Sequence, residues 1–135
     1  MSYAMSLALQ ESLFARLKEN GALGVMVGDA IYDAVPSGMP PDLYVVIGAE
    51  KARDASDADG RGSVHEFTVS VLTDRSGFAD AKATAGIVVK ALEPPLELSR
   101  GRVLAQRFHK AAAARIGTAN QRRIDLIFNA RLSDD

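Results

Sequence analysis

From Arg123 to Leu132 the chain alternates: Ile124, Leu126, Phe128, Ala130 and Leu132 fall on one side, Arg123, Asp125, Asn129 and Arg131 on the other. A period of two places successive side chains on opposite faces of a strand, so this segment must pair into a sheet with one face buried. A second alternation, Val64 to Leu72, puts His65, Phe67, Val69 and Val71 opposite Glu66, Thr68 and Ser70. Two half-buried strands need a covering layer, and the chain supplies amphipathic helices for it.

The first helix is read over Ser6 to Asn20, where Leu9, Leu13, Phe14 and Leu17 recur every three or four residues. Gly21, just past its last turn, is read as the closing glycine, and Gly21 to Asp29 as a glycine-punctuated connection. The second helix is read over Phe78 to Leu92, where Phe78, Ala81, Ala85, Val88 and Leu92 form one stripe that Pro94-Pro95 terminates. Ile31 to Val35 reads as a short strand stopped by Pro36. Leu43 to Ile47 is a continuous apolar run suited to a strand covered on both faces. A weaker strand covers Arg102 to Lys110, and Ala111 to Ala114 is ambiguous.

Between Gly48 and Ser63 the Asp- and Gly-rich sequence has no apolar periodicity, which predicts a mobile hairpin arm. The expected fold is therefore α+β: a mainly antiparallel sheet of about four to five strands, two amphipathic helices on one face, and a long hairpin arm. At 135 residues, with no repeat or low-complexity tract, residues 1–135 are expected to form a single domain.

Charge narrows the function classes. Sixteen basic and seventeen acidic residues leave a net charge of -1, so there is no global positive field for a nucleic-acid backbone. Without cysteine there are no disulfides, thiolate nucleophiles or cysteine-bound metals. The first ten residues lack a basic patch followed by an apolar run, and no stretch is long and apolar enough to span a bilayer, so a cytoplasmic protein with no membrane partner is expected.

Catalysis needs titratable groups within reach of one another, yet the only histidines, His65 and His109, belong to no recognisable triad or metal spacing. Both are read as packed or rim residues, and no enzyme activity or cofactor is expected. Asp57, Asp59, Gly60 and Glu66 match part of a calcium-binding loop, but its first ligand position would fall on Ala55, which has no side-chain oxygen. Gly21, Gly24 and Gly28 lack phosphate-loop spacing and suit caps and turns better.

One asymmetry remains: from Arg100 to Arg131 eight basic residues stand against a single acid, Asp125. Either these cations are simply solvated, or they form a subunit surface that the acidic arm of a neighbouring copy reaches. Candidate interface residues are Arg53, Asp54, Asp57, Asp59 and Arg61 on the arm, with Arg122, Arg123 and Arg131 on the last strand.

Several segments in order carry a resemblance. They are Ala8-Leu9-Gln10 in the first helix, Val27-Gly28, Ile31-Tyr32-Asp33-Ala34-Val35-Pro36, Tyr44-Val45-Val46-Ile47-Gly48, a strand followed by Ser76-Gly77 and a helix, and the Arg122-Arg123 strand. Together they resemble the tail terminator, or tail-completion, proteins of phages and gene transfer agents. The chain departs from that pattern at the proline before the Tyr44 strand, displaced to Pro41, and at Leu72-Thr73, where an aromatic is usual.

The resemblance implies a hexameric ring at the head-proximal end of a tail tube. Such a ring halts tube polymerisation, joins the tail to the neck of the head, and lets DNA pass without specific binding. Implied partners are further copies of the chain, the tail-tube protein and a head-neck stopper or connector. The implied location is the cytoplasm during assembly and then the head-tail junction of the particle. Another head-tail connector, a minor tail protein and a small-molecule-binding α+β domain stand as alternatives.

Overall fold

The computed structural model describes residues 3–35, 37–58, 60–117 and 120–134. Five strands form one sheet in the order β1-β2-β3-β5-β4. They are β1 (Ile31–Tyr32), β2 (Leu43–Asp54), β3 (Gly62–Thr73), β4 (Arg102–Ile116) and β5 (Gln121–Ser133). Every pairing is antiparallel except β1 with β2. The helices are α1 (Ala4–Glu19), α2 (Gly21–Val27) and α3 (Ala79–Ala91). The α+β class and the mainly antiparallel sheet stand as the alternations require.

The alternating residues of β3 and β5 face the helices. Register places Phe67 beside Phe128, Val69 beside Leu126 and Val71 beside Ile124, all buried. Phe67 and Phe128 stack with ring centroids 5.3 Å apart. Met5, Leu9, Leu13 and Leu17 of α1 and Ala81, Ala85 and Val88 of α3 close the core from the other side. Arg16 ties the two helices together: its guanidinium donates to the carbonyls of Ala91, Pro94 and Pro95 at 2.7–3.0 Å, satisfying acceptors that the end of α3 leaves open.

Four expectations need correction. First, the described residues form three helices, because Gly21 opens α2 instead of closing α1. Asn20 breaks the helical path with ψ 114° and then caps α2, its side chain accepting from the Leu23 amide at 2.9 Å. The glycine in a left-handed region is Gly28, φ 59°, after α2.

Second, most of the expected arm is sheet. After a bulge between Ile47 and Glu50, β2 pairs with β3 as far as Asp54 opposite Ser63. Of the described residues only 55–58, 60 and 61 remain as a tip, closed by amide-to-carbonyl bonds from Ala55 to Gly62 and from Asp57 to Gly60. The alternation was masked because the positions facing the helices are Glu50 and Ala52.

Third, β1 is two residues long and parallel to its neighbour; Pro36, the expected stop, lies outside the described residues. Fourth, the Ala111 to Ala114 run is strand, and β4 continues to Ile116.

Gly101 positions the start of β4. Its φ is 72°, and a Cβ there would lie 2.5 Å from the Ser133 carbonyl oxygen and 2.7 Å from the Met5 sulfur. Only glycine permits this approach between the entry to β4, the end of β5 and α1.

Candidate assembly surfaces

Among the described residues no helix covers the second face of the sheet. Near the hairpin tip, two rows of side chains cross four strands on that face. One row is Arg53, Val64, Arg131 and Ala105; the next is Lys51, Glu66, Asn129 and Arg107. They line a cleft of about 620 Å³ in which four cations surround one carboxylate. Lys51, Arg53, Arg107 and Arg131 are all exposed. Arg131 also donates to the Ala55 carbonyl at 3.4 Å, which anchors it at the base of the tip. A concentration of exposed cations of this kind attracts an acidic surface and steers its approach.

Of the residues singled out from sequence, Arg53 and Arg131 are brought onto one row. Asp54, Asp57 and Arg61 stand exposed at the tip beside them, and Asp59 lies outside the described residues. The Ser56 hydroxyl donates to Asp54 at 2.7 Å and holds its carboxyl below the usual range.

Arg123 shares the open face but sits toward its far end, bound to Asp125 at 2.7 Å and to the Ser70 hydroxyl at 3.2 Å. Arg122 points inward. It is 6% exposed, lies 5.4 Å over the Phe78 ring, and donates to the Arg75 carbonyl at 3.0 Å. Its Nε is buried without a hydrogen-bond partner. Lys51, Glu66 and Arg107 complete the cleft and were not anticipated. The signal for Lys51 and Arg53 was their spacing of two.

The helix-covered face holds a different polar cluster. His65 is fully buried, with Nδ1 3.1 Å from Glu50 Oε2 and Nε2 2.9 Å from Ser63 Oγ. An ionised Glu50 only accepts, so Nδ1 carries the hydrogen, and a neutral ring then accepts the Ser63 hydroxyl at Nε2. The connectivity is that of a hydrolase triad. Ser63 is nevertheless 0% exposed, so no substrate reaches its hydroxyl, and the cluster orders the fold.

Glu50 Oε1 accepts from Tyr3 and Ser6 at 2.8 and 2.7 Å, fastening the start of α1 to β2. Burial opposes the Glu50 charge. Hydrogen bonds from Ser6, Tyr3 and His65 outweigh it and hold the carboxyl below its ordinary value.

The partial calcium motif does not assemble. Asp57 bridges to Gly60 within the tip, whereas Glu66 faces the basic cleft. Among the described residues no three His, Asp or Glu side chains converge to hold a metal. His109 is exposed on β4, and no described helix is long and apolar enough to cross a membrane.

The profile of the tail completion protein gp17 family matches residues 11–133. The chain belongs to that family. It is also similar, at 47% identity and a TM-score of 0.92, to a chain in the virion of a native gene transfer agent particle; the match covers 98% of this chain and 99% of that one. Among curated proteins none matches. Membership in the tail completion family makes this a structural tail protein.

Proposed function

We propose that the protein is a ring-forming tail terminator: it closes the head-proximal end of the tail tube, stops the tube from growing, and offers the neck of the head a docking surface. The observation that carries this reading is the end-to-end likeness to a chain of a gene transfer agent virion, joined to membership in a tail completion family. The ring is composed of copies of this chain, six by family resemblance, and DNA passes through it without specific binding. Assembly takes place in the cytoplasm, and the finished ring lies at the head-tail junction.

The tip and the basic cleft, with Arg53, Asp54, Asp57, Arg61 and Arg131, are assigned to contact with the tail tube. Exposed charges of mixed sign suit a reversible, orientation-setting contact. Arg123, at the far end of the same face, belongs with that surface.

Tail length tests the function directly. Particles made without the protein should carry tails of uncontrolled length or tails detached from heads, and purified protein should cap tube ends as a closed ring. Tails of normal length still joined to heads in its absence would overturn the reading. Label on intact particles located anywhere but the junction would assign the chain to another connector or minor tail position.

A further inference from the structure

The two outer edges of the sheet carry opposite charge. Residues 21–49, which lead into β1, form it and run on into β2, contain Asp29, Asp33 and Asp42 and no lysine or arginine. The remainder of β2, which β1 does not reach, adds Lys51 and Arg53 balanced by Glu50 and Asp54. Residues 100–116, which form β4, contain Arg100, Arg102, Arg107, Lys110 and Arg115 and no aspartate or glutamate. In the order β1-β2-β3-β5-β4 these segments lie on opposite sides of one sheet. Sequence order alone does not reveal this, because the two segments lie well apart along the chain.

Some of these charges are satisfied internally. Arg75 binds Asp42 at 3.0 Å and Arg100 binds Asp134 at 3.0 Å; Lys18 donates to the Asp29 backbone carbonyl at 2.9 Å, which sets one cation beside the acidic side without pairing the Asp29 carboxylate. Asp29 and Asp33 on one side, and Lys110 and Arg115 on the other, are exposed.

The exposed large apolar side chains divide in the same way. Val25, Val35 and Met39, at 85%, 45% and 98% exposure, belong to the β1 side. Leu104 and Phe108, at 48% and 42%, belong to β4. Only Tyr3 and Leu7 of α1 fall elsewhere among those described.

β4 is fifteen residues long, mostly exposed on both faces, and paired on one side only, to β5. A long edge with unpaired backbone groups is what strand-to-strand association uses, and natural chains otherwise blunt such edges. The cations of β4 keep it from pairing with another β4 while leaving it open to an acidic partner.

We propose that these edges are the two halves of one interface, with the basic β4 edge of each copy seated against the acidic β1 edge of the next. This deepens the ring reading and rests on it. A ring needs a heterologous contact between two different patches, and opposite edges of one sheet with opposite charge and matching apolar residues meet that requirement. The occupant of each edge is a second copy of this chain.

Edge-reversed variants of the full-length chain test the proposal. Lys110→Glu with Arg115→Glu turns the 110–116 half of the β4 edge acidic, to face an acidic β1 edge; Asp29→Lys with Asp33→Lys turns the β1 edge basic, to face a basic β4 edge. Each variant alone should stay monomeric under conditions where the wild type assembles with tube protein, and each should keep the wild-type melting temperature. An equimolar mixture should form rings again, because every contact then joins an acidic to a basic edge. The chain carrying all four substitutions should also assemble, and the milder Lys110→Gln with Arg115→Gln should assemble less than the wild type.

Assembly of either reversed variant at wild-type level, or failure of the folded pair to rescue each other, would overturn the interface while leaving the ring intact. Loss of tube binding with rings preserved would assign β4 to the tube instead, and would equally overturn it. A wild type that forms no closed oligomer even with tube protein would sink the ring reading itself, and this inference with it.

Discussion

The two faces of the sheet are built from the same strands and obey different rules. On the helix-covered face, Phe67, Phe128, Val69 and Leu126 are sealed under α1 and α3, and even the polar residues Glu50, His65 and Ser63 satisfy one another. On the open face, Lys51, Arg53, Arg107 and Arg131 stand in water around Glu66. The contrast teaches where to expect loss of stability and where to expect loss of assembly. A residue on the covered face acts through the fold, and under the proposed assembly one on the open face is expected to act through partners.

The largest effect belongs to Phe128, 1% exposed, which stacks on Phe67 and meets the edge of Phe108 at 5.6 Å. Phe128→Ala should cost about 3–5 kcal/mol, read by denaturant unfolding, and leave little folded protein at 37 °C. Gly101→Ala comes next at about 2–3 kcal/mol, since the methyl would meet the Ser133 backbone at a left-handed φ. A Gly101→Ala chain as stable as the wild type would mean that the β4 entry is not fixed by α1 and β5.

How much of this division was legible in the sequence varies with what marks each position. Apolar alternation located β3, β5 and the stripe of α3 closely, because burying those residues is what holds the strands and helix in place. The extension of β2 was hidden because its inward residues, Glu50 and Ala52, are polar and small, and Glu50 is tolerated only through Tyr3, Ser6 and His65, which are distant in sequence. The run Ala111 to Ala114 has weak local preference for strand, and only its pairing with residues 123–126 of β5 decides its state. Among the candidate interface residues, Arg122 and Arg123 are adjacent and chemically alike, yet a strand sends one inward and one outward. The basic cleft was legible only in halves, since it gathers Lys51, Arg107 and Arg131 from three strands.

Glu50 sharpens the comparison because it is a charge on the covered side. Its folded-state carboxyl is held below the ordinary value, so it contributes stability that is fully present above that ordinary value, near pH 4.5, and is lost as pH falls through the lower folded value. Glu50→Gln should cost about 1–2 kcal/mol at pH 7, and the gap to wild type should narrow as melting is measured at successively lower pH below 4.5. A gap independent of pH would show that its hydrogen-bonding shape, and not its charge, holds α1 to β2.

Arg122 and Arg131 make a finer cut, since both are arginines of β5. Arg122→Ala opens the contact with Phe78 and the Arg75 carbonyl and should lower stability by about 1 kcal/mol. Arg131→Glu, with Arg53→Glu, alters exposed residues and should shift stability by no more than about 0.5 kcal/mol. That double variant replaces two of the four cations of the cleft with carboxylates beside Glu66, so any acidic partner surface would meet repulsion there. Tube capping, measured as the length distribution of tubes grown in its presence, should therefore fail while circular dichroism and melting stay at wild-type values. Normal capping by the double variant would detach the cleft from assembly and leave Asp57 and Arg61 at the tip as the contact to test next. Loss of melting temperature along with capping would show that the open face, too, acts through the fold.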